Sequence, residues 1–210
     1  MLPFARLQGV AASLLIDNID TDAIIPSKET QSVVRTGYGE KLFSNWRYLP
    51  GSRKPNPNFV LNQPPFTGAT ILVGGRNFGC GSSREAAVWA LAQFGIRAII
   101  AESFGPIFRN NCIRNGLLPI SLPDEAFRSF QAQWQAGGSP QLSIDLQKKL
   151  IQTPNGGQWS FEIGALDRET LLQGLDEIAV TLKRREEIQR FREKDRLERS
   201  WLYPEPPTPG

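Results

Sequence analysis

The run Gly79-Cys80-Gly81-Ser82-Ser83-Arg84-Glu85 places two hydroxyls, a thiol and a guanidinium in one glycine-rich segment. It follows an apolar run at 70–73 and precedes an alanine-rich stretch, so it is predicted to be a turn between a strand and a helix. The first turn of a helix offers unpaired N–H groups and the positive end of the helix dipole, which favour an anion. Arg84 adds a bidentate partner for carboxylate or phosphate. This combination could hold a carboxylate and stabilise a serine alkoxide.

The same pattern is also typical of a turn that only caps a helix, and the residues alone leave that alternative open. The segment is not a Walker A motif, because no Gly-Lys-Ser/Thr is present. It is not the dinucleotide-binding Gly-x-Gly-x-x-Gly either, because Arg84 stands where the third glycine belongs. A free-standing phosphate-binding module is the remaining alternative of this kind.

The missing residue types exclude several chemistries. The chain has no histidine, so neither a Ser-His nor a Cys-His nucleophile pair can form, and imidazole metal ligands are excluded. Its two cysteines, Cys80 and Cys112, are too few to hold an iron–sulfur cluster. We expect no metal on this chain and interpret both cysteines as ordinary buried thiols without a disulfide, as in a reducing compartment. Any metal chemistry must therefore come from another chain.

The bulk composition fits one ordinary domain. The 210 residues carry a net charge of +3, and the basic residues form no dense patch outside the C-terminal segment, so no nucleic-acid partner is expected. No stretch approaches the roughly 20 apolar residues that cross a bilayer. The N-terminus lacks the pattern of a secretory signal. These observations predict a cytoplasmic protein with no membrane contact.

The elements that position the glycine-rich segment follow from hydrophobic patterning. Residues 70–73 are predicted to be a buried strand, the helix that follows ends at Gly95, and residues 97–101 form the next strand. This βαβ unit predicts a parallel sheet, and a second such passage runs from 104 to 120. Ser82 and Glu85 have the spacing of a capping box.

The remaining segments complete an α/β prediction. The opening is predicted to be a strand followed by a polar turn that ends at Pro26, and 50–65 to be a surface loop. A helix follows Pro123, strands are expected across 141–163, and a short helix ends at Gly174. One charged, solvated helix is predicted from 176 to 201.

Several motifs, in the same order along the chain, resemble the small subunits of isopropylmalate dehydratases, which are members of the aconitase superfamily. The resemblance covers residues 8–182 and is carried by Asp20-Thr21-Asp22-Ala23-Ile24-Ile25-Pro26, by 35–39, 42–47 and 55–62, by Asn77 to Glu85, and by 103–119. It implies the swivelling domain of that superfamily, a single compact layered domain with a mainly parallel sheet or partial barrel. The corresponding domain assignment is 1–182, with 183–210 as a charged helical extension and tail.

The resemblance also implies roles for individual residues. Ser82 matches the catalytic base that removes a carbon-bound proton, and Ser83 and Arg84 match contacts to a substrate carboxylate. Arg35 matches a further substrate-binding arginine. Residues with an expected loop-shaping role are Asp20, Thr21, Asp22, Gly79 and Gly81. A [4Fe-4S] cluster is expected on a separate large subunit, which is the implied partner.

Three positions depart from the family pattern. Ala86 stands where family members usually have histidine, and Glu29-Thr30 replaces an aromatic–leucine pair in the loop after Pro26. If that loop lines the specificity pocket, a carboxylate would suit a substrate side chain less hydrophobic than isopropyl. Glu29, Thr30 and Ala86 are therefore candidate specificity residues.

The resemblance implies a hydro-lyase subunit that acts on a small dicarboxylic 2-hydroxy acid. The leading prediction is isomerisation of 2-isopropylmalate to 3-isopropylmalate, through isopropylmaleate, in leucine biosynthesis. One alternative keeps the chemistry but uses citraconate/methylmalate or another substituted malate. The other alternative is a non-catalytic partner subunit.

Overall fold

The computed structural model describes residues 1–30, 36–82 and 84–203. Within them, seven strands form one sheet, in chain order β1 (Arg6–Leu14), β2 (Ile71–Gly74), β3 (Ala98–Ala101), β4 (Leu118–Ser121), β5 (Gln141–Asp145), β6 (Leu150–Gln152) and β7 (Gln158–Ser160). The helices are α1 (Thr21–Ile24), α2 (Ser44–Arg47), α3 (Glu85–Phe94), α4 (Pro106–Arg114), α5 (Asp124–Ala136), α6 (Ala165–Gln173), α7 (Glu177–Leu182) and α8 (Arg185–Glu198).

The sheet has a parallel half and an antiparallel half. Its strand order is β4-β3-β2-β1-β5-β6-β7, and the pairs β1–β2, β2–β3 and β3–β4 are parallel. The strands β5, β6 and β7 continue the sheet in antiparallel pairs from the other edge of β1. The predicted α/β fold with βαβ units is confirmed, and the parallel half carries the connections that hold the predicted site.

Two cores lie on opposite faces of this sheet because strand side chains alternate in direction. On β2, Ile71 and Val73 belong to one core, and Leu72 belongs to the other. The Leu72 face is covered by α3, whose small side chains include Ala87 and Ala90. The opposite face is covered by α5 through aromatic side chains one helical turn apart, among them Phe127, Phe130 and Trp134. Burial on both faces fits the continuous apolar runs of the parallel strands.

Residues at the ends of helices explain most of the boundaries. Gly95 ends α3 with φ +115°, a left-handed conformation that glycine adopts without a steric penalty. Pro106 is the first residue of α4. The N–H at this position has no partner within the helix, so proline loses no hydrogen bond there. Gly174 ends α6, as predicted.

Three local predictions are wrong. The capping box predicted for Ser82 and Glu85 does not form, because α3 begins at Glu85 with Arg84 as its N-cap and no side-chain cap. The segment 50–65 is not only surface, because Phe59 and Leu61 are buried, and Asn62 satisfies the backbone around them by donating to the carbonyls of Arg47 and Asn56.

The third wrong prediction is the single C-terminal helix, which is divided into α7 and α8. The backbone forms a tighter turn at Arg184, because its N–H donates at 3.0 Å to the carbonyl of Thr181, three residues earlier, instead of four residues earlier as in an α-helix. None of the helices in the described part of the chain has the length and apolar composition that crossing a membrane requires.

The chain folds as two compact units, Met1–Gly174 and Leu175–Gly210. The first contains the sheet and both cores; the described part of the second contains α7 and α8. This division falls before the predicted boundary after residue 182, and the assignment of a swivel domain to 1–182 stays a prediction. Residues 204–210 of the predicted extension lie outside the described residues.

Candidate active site

The segment from Gly75 to Arg84, here called the glycine loop, joins β2 to α3 and pairs with the turn after β1. The N–H of Gly79 donates to the carbonyl of Ile19 at 2.7 Å, and the N–H of Thr21 donates to the carbonyl of Cys80 at 3.1 Å. Both segments follow the carboxyl ends of adjacent parallel strands. Their pairing therefore brings together two of the motifs found in the sequence.

On its other side, the glycine loop pairs with the loop after β3. The N–H of Phe78 donates to the carbonyl of Ser103 at 2.9 Å, and the N–H of Gly105 donates back to the carbonyl of Phe78 at 2.9 Å. The buried ring of Phe78 has its centroid 6.3 Å from that of Phe104 and 5.7 Å from that of Phe108. Hydrogen bonds and aromatic packing thus fix the first half of the glycine loop.

Two glycines in the loop have backbone conformations that disfavour a side chain. Gly79 has φ +72°, and a Cβ placed on it would come within 2.2 Å of the Phe108 ring. Gly81 has φ +82°, and a Cβ there would lie 3.5 Å from the Cβ of Asp20. Both angles lie in the left-handed region, which glycine enters most readily. At Gly79, steric overlap with the Phe108 ring is a second reason why a side chain does not fit.

The second half of the loop carries the predicted catalytic groups. Ser82 is exposed. The guanidinium of Arg84 donates through Nη1 to Oδ1 of Asp22, and these side chains are 28% and 52% exposed. Ser83 and Arg35, the other predicted substrate contacts, lie outside the described residues.

The turn after β1 is organised by Asp20. Its Oδ1 accepts a hydrogen bond from the N–H of Ala23 at 2.6 Å, which caps the short helix α1. Thr21 is 1% exposed, and its hydroxyl has no partner within the described residues. Capping by Asp20 fixes the direction from which Asp22 reaches Arg84.

A second polar link, at the start of the glycine loop, was not predicted from the sequence. The N–H of Arg76 donates to Oδ1 of Asp17 at 2.8 Å, and the guanidinium of Arg76 lies 3.4 Å from the same carboxylate. Beside it, Asn77 donates to the side-chain oxygen of Asn18 at 2.9 Å. The signal was available: both polar pairs follow adjacent strands of a predicted parallel sheet.

None of the contacts described for the three candidate specificity residues involves Ser82. Both carboxylate oxygens of Glu29 accept from Nη2 of Arg53, at 2.7 and 2.8 Å. The hydroxyl of Thr30 donates to the carbonyl of Ser27 at 2.8 Å. Ala86 is buried in the core on the α3 side of the sheet. The proposed influence of these residues on substrate choice stays a prediction.

The thiols differ in their surroundings. Cys80 and Cys112 are both free; Cys80 is partly exposed, whereas Cys112 is fully buried. Burial raises the pKa of the Cys112 thiol well above its usual value, with Arg109 opposing the shift. Cys112 therefore remains protonated and is a poor nucleophile or metal ligand. Within the described residues, no three His, Cys, Asp or Glu side chains are grouped to hold a metal ion.

Comparison with known proteins gives a consistent result. The family described as Aconitase C-terminal domain matches residues 1–125. The chain is 53% identical over 205 residues to the 3-isopropylmalate dehydratase small subunit of Cupriavidus necator, covering 97% of this chain and 99% of that protein. It is 46% identical over 211 residues to the protein of the same name from Neisseria meningitidis serogroup C (strain 053442), again covering 97% and 99%.

A solved structure has the same fold. The crystal structure of 3-isopropylmalate dehydratase from Methanocaldococcus jannaschii superimposes on this chain with a TM-score of 0.63 and 31% sequence identity. The superposition covers 89% of this chain and 99% of the chain in that crystal structure. Sequence similarity and structural similarity thus point to the same group of proteins.

Proposed function

Since the chain belongs to the family of 3-isopropylmalate dehydratase small subunits, which contain the aconitase C-terminal domain, we propose that the glycine loop is its part of the active site. The reaction removes water from 2-isopropylmalate and returns it at the neighbouring carbon. It passes through isopropylmaleate and yields 3-isopropylmalate in leucine biosynthesis. The chain works as one subunit of this hydro-lyase, together with a large subunit.

Ser82 is the base that takes the proton from carbon. A serine hydroxyl is a weak base unless its alkoxide is stabilised, so it needs positive charge nearby. Arg84 lies two positions further along the chain, and α3 begins immediately after it with the positive end of its dipole. The exposure of Ser82, which has no capping role in α3, supports this assignment.

Arg84 binds a carboxylate of the substrate. Asp22 occupies only Nη1 of its guanidinium, which leaves the Nε–Nη2 edge to donate two hydrogen bonds to a carboxylate. Ser83 and Arg35 complete the carboxylate contacts in this proposal. The loop is shaped by Asp20, Thr21, Gly79 and Gly81. The observation that carries the proposal is the Arg84–Asp22 ion pair, which links the glycine loop to the turn after β1.

The cluster belongs to the partner. This chain's free thiols do not fit a [4Fe-4S] cluster, since Cys112 is buried and protonated and only Cys80 remains. When bound on the large subunit, such a cluster supplies a Lewis-acid iron for the hydroxyl and carboxylate of the substrate. This chain then contributes proton transfer and carboxylate binding. The cytoplasmic location and the ratio of the two subunits stay predictions.

The ion pair between Glu29 and Arg53 bears on the choice of substrate. An unpaired carboxylate near the substrate would disfavour an isopropyl group, but Arg53 neutralises this one. The argument from Glu29 for citraconate or methylmalate is thereby removed. Ala86 is buried in the core and adds no polar group to the site.

The proposed function is tested by co-expressing this chain with its large subunit and reconstituting the cluster without oxygen. The unsaturated acid is followed by ultraviolet absorbance with 2-isopropylmalate, citraconate and related malates side by side. We expect turnover to prefer 2-isopropylmalate. Preference for another malate would contradict the assignment of substrate, and no turnover with a verified complex and cluster would indicate a non-catalytic subunit.

Single variants test the site. Ser82→Ala is expected to lower kcat by about 10²–10⁴-fold, the usual contribution of a positioned acid–base group. The matched control is Ser160→Ala, an exposed serine on β7 at the antiparallel edge of the sheet, which should leave kcat unchanged. Equal activity of the two variants would remove Ser82 from the mechanism.

A further inference from the structure

Asn77 links the first half of the glycine loop to the segments on both sides of it. Its side-chain Nδ2 donates to Oδ1 of Asn18, in the turn after β1, at 2.9 Å. Its backbone N–H donates to Oγ of Ser103, in the loop after β3, at 2.9 Å. The three residues follow the carboxyl ends of adjacent parallel strands, so they form one chain of hydrogen bonds along this edge of the sheet. The bond between Asn77 and Asn18 is called the amide pair below.

The backbone of the loop turns at alternate residues, beginning at Asn77. Asn77 has φ +56°, and Gly79 and Gly81 have φ +72° and +82°, so all three are left-handed. Asparagine is one of the few residues with a side chain that enters this region readily. Asn18 has the same φ as Asn77, +56°. Two neighbouring segments therefore bend in the same way, and each bend carries one half of the amide pair.

These bends leave the register of the two segments unchanged. The strand pairing ends with Leu14 opposite Gly74 and resumes with an isolated bridge between Asp20 and Cys80. The two stretches between these pairings have the same length, so a change of bend in one of them alone would shift the second pairing. The amide pair lies within this interval and joins one bend to the other. It therefore couples the path of the glycine loop to that of the turn after β1.

We propose that Asn77 is a positioning residue for Ser82, an inference that rests on the proposed function of the glycine loop. The side chain of Ser82 is exposed and makes no hydrogen bond within the described residues. Its position is therefore set by the backbone that leads to it from Asn77. Arg84 differs, because its side chain has a partner of its own in Asp22. Loss of the amide pair should therefore displace Ser82 and spare the carboxylate contact of Arg84.

The test measures the turnover of 2-isopropylmalate by variants in the reconstituted holoenzyme. Asn77→Gly keeps access to the left-handed conformation but removes the amide group. We expect kcat to fall about three- to tenfold, the equivalent of one hydrogen bond, while KM changes less than about twofold. Asn18→Gly removes the other half of the pair and should give a similar loss. The double variant should lose no more than either single variant, because both remove the same interaction.

Two further variants separate positioning from a merely structural role. Asn18→Asp keeps an acceptor for the Asn77 amide and should retain more kcat than Asn18→Gly. Lys149→Gly is the matched control, since Lys149 has φ +55° in the turn between β5 and β6, and its kcat should equal that of the parent. Urea unfolding gives the folded fraction of each variant under the assay conditions. A merely structural role would lower stability but leave kcat per folded enzyme unchanged.

The outcomes distinguish this proposal from the proposed function. The positioning role is wrong if kcat per folded enzyme stays at the parent value in Asn77→Gly, or if KM rises while kcat is unchanged. A normal kcat in Asn77→Gly together with a loss in Ser82→Ala overturns the positioning role alone, whereas a normal kcat in Ser82→Ala overturns the proposed function. If Asn77→Gly fails to fold, Asn18→Gly decides the question, because Asn18 is exposed.

Discussion

The guanidinium of Arg84 donates a hydrogen bond to the carboxylate of Asp22, and this ion pair joins the second half of the glycine loop to the turn after β1. Backbone hydrogen bonds from Gly79 to Ile19 and from Thr21 to Cys80 join the same two segments. The backbone links fix the loop, but the direction of the long arginine side chain depends on the ion pair. The orientation of Arg84, the arginine proposed to bind substrate, is thus set by a residue from a different strand connection.

Asp22→Asn is expected to raise KM for 2-isopropylmalate about tenfold with little change in kcat. The amide has the same size as the carboxylate but lacks its charge, so Arg84 loses the partner that orients it. The control is Asp124→Asn, which breaks the exposed ion pair with Arg128 on α5 and should leave both constants unchanged. A lower KM in Asp22→Asn would contradict the prediction, because Asp22 would then compete with the substrate.

Gly79→Ala is expected to lower the free energy of unfolding by about 2–5 kcal/mol. About 1–2 kcal/mol comes from a non-glycine residue in the left-handed region, and about 1–3 kcal/mol from overlap with the Phe108 ring. Gly138→Ala is the matched control, since it has φ +64° and no atom within 4 Å of the added Cβ. Urea unfolding of both variants separates the two contributions; equal losses would show that the ring moves aside without cost.

Much of the fold could be predicted from local patterns. The apolar runs that form β2 and β3 are flanked by polar segments and by Gly95, a strong helix stop, so their βαβ arrangement follows from hydrophobic periodicity and chain direction. Sequence order could not reveal the antiparallel extension from β1 to β5, because pairing between distant strands depends on packing across the whole sheet.

The residues of the candidate site could be proposed from the sequence, but the side-chain contacts around them could not. The sequence pattern predicts that Ser82 caps α3, yet the extended Arg84 delays the start of the helix and leaves Ser82 outside it. The sequence of the loop after Pro26 suggests an unpaired carboxylate at Glu29, but this carboxylate is paired with Arg53, which lies 24 residues further along the chain. Ion pairs between loops depend on tertiary geometry, which local propensity does not encode.

Tyr203→Phe is expected to raise the pKa of Asp195 in α8. The Tyr203 hydroxyl donates to this carboxylate at 2.8 Å and is the main cause of its lowered pKa, with Arg199 contributing as well. A lowered pKa stabilises the native state above the usual value of 3.8, and this stabilisation is lost as the pH falls toward the native pKa. The ¹³C shift of the Asp195 carboxyl measures the change.

The control for this titration is Tyr48→Phe, which removes a hydroxyl bonded to the carbonyl of Glu40 and should leave the Asp195 curve unaltered. An unchanged curve in Tyr203→Phe would contradict the assigned cause. The lowered pKa of Asp195 would then have to come from Arg199 alone.

The stability of the whole chain should fall above pH 9 because of Cys112. Burial raises the pKa of this thiol well above 9.0, so between 9.0 and the native pKa the unfolded chain has lost a proton that the native state retains. The unfolded state then binds fewer protons, and the free energy of unfolding decreases by up to about 1.4 kcal/mol per pH unit. Below pH 9 the thiol is protonated in both states and adds no pH dependence.

Urea unfolding from about pH 8 to about pH 10.5 should show a shallower decline in Cys112→Ala than in the parent chain, whereas Cys80→Ala should follow the parent. Parallel curves for the parent and Cys112→Ala would mean that the native thiol ionises as readily as the unfolded one.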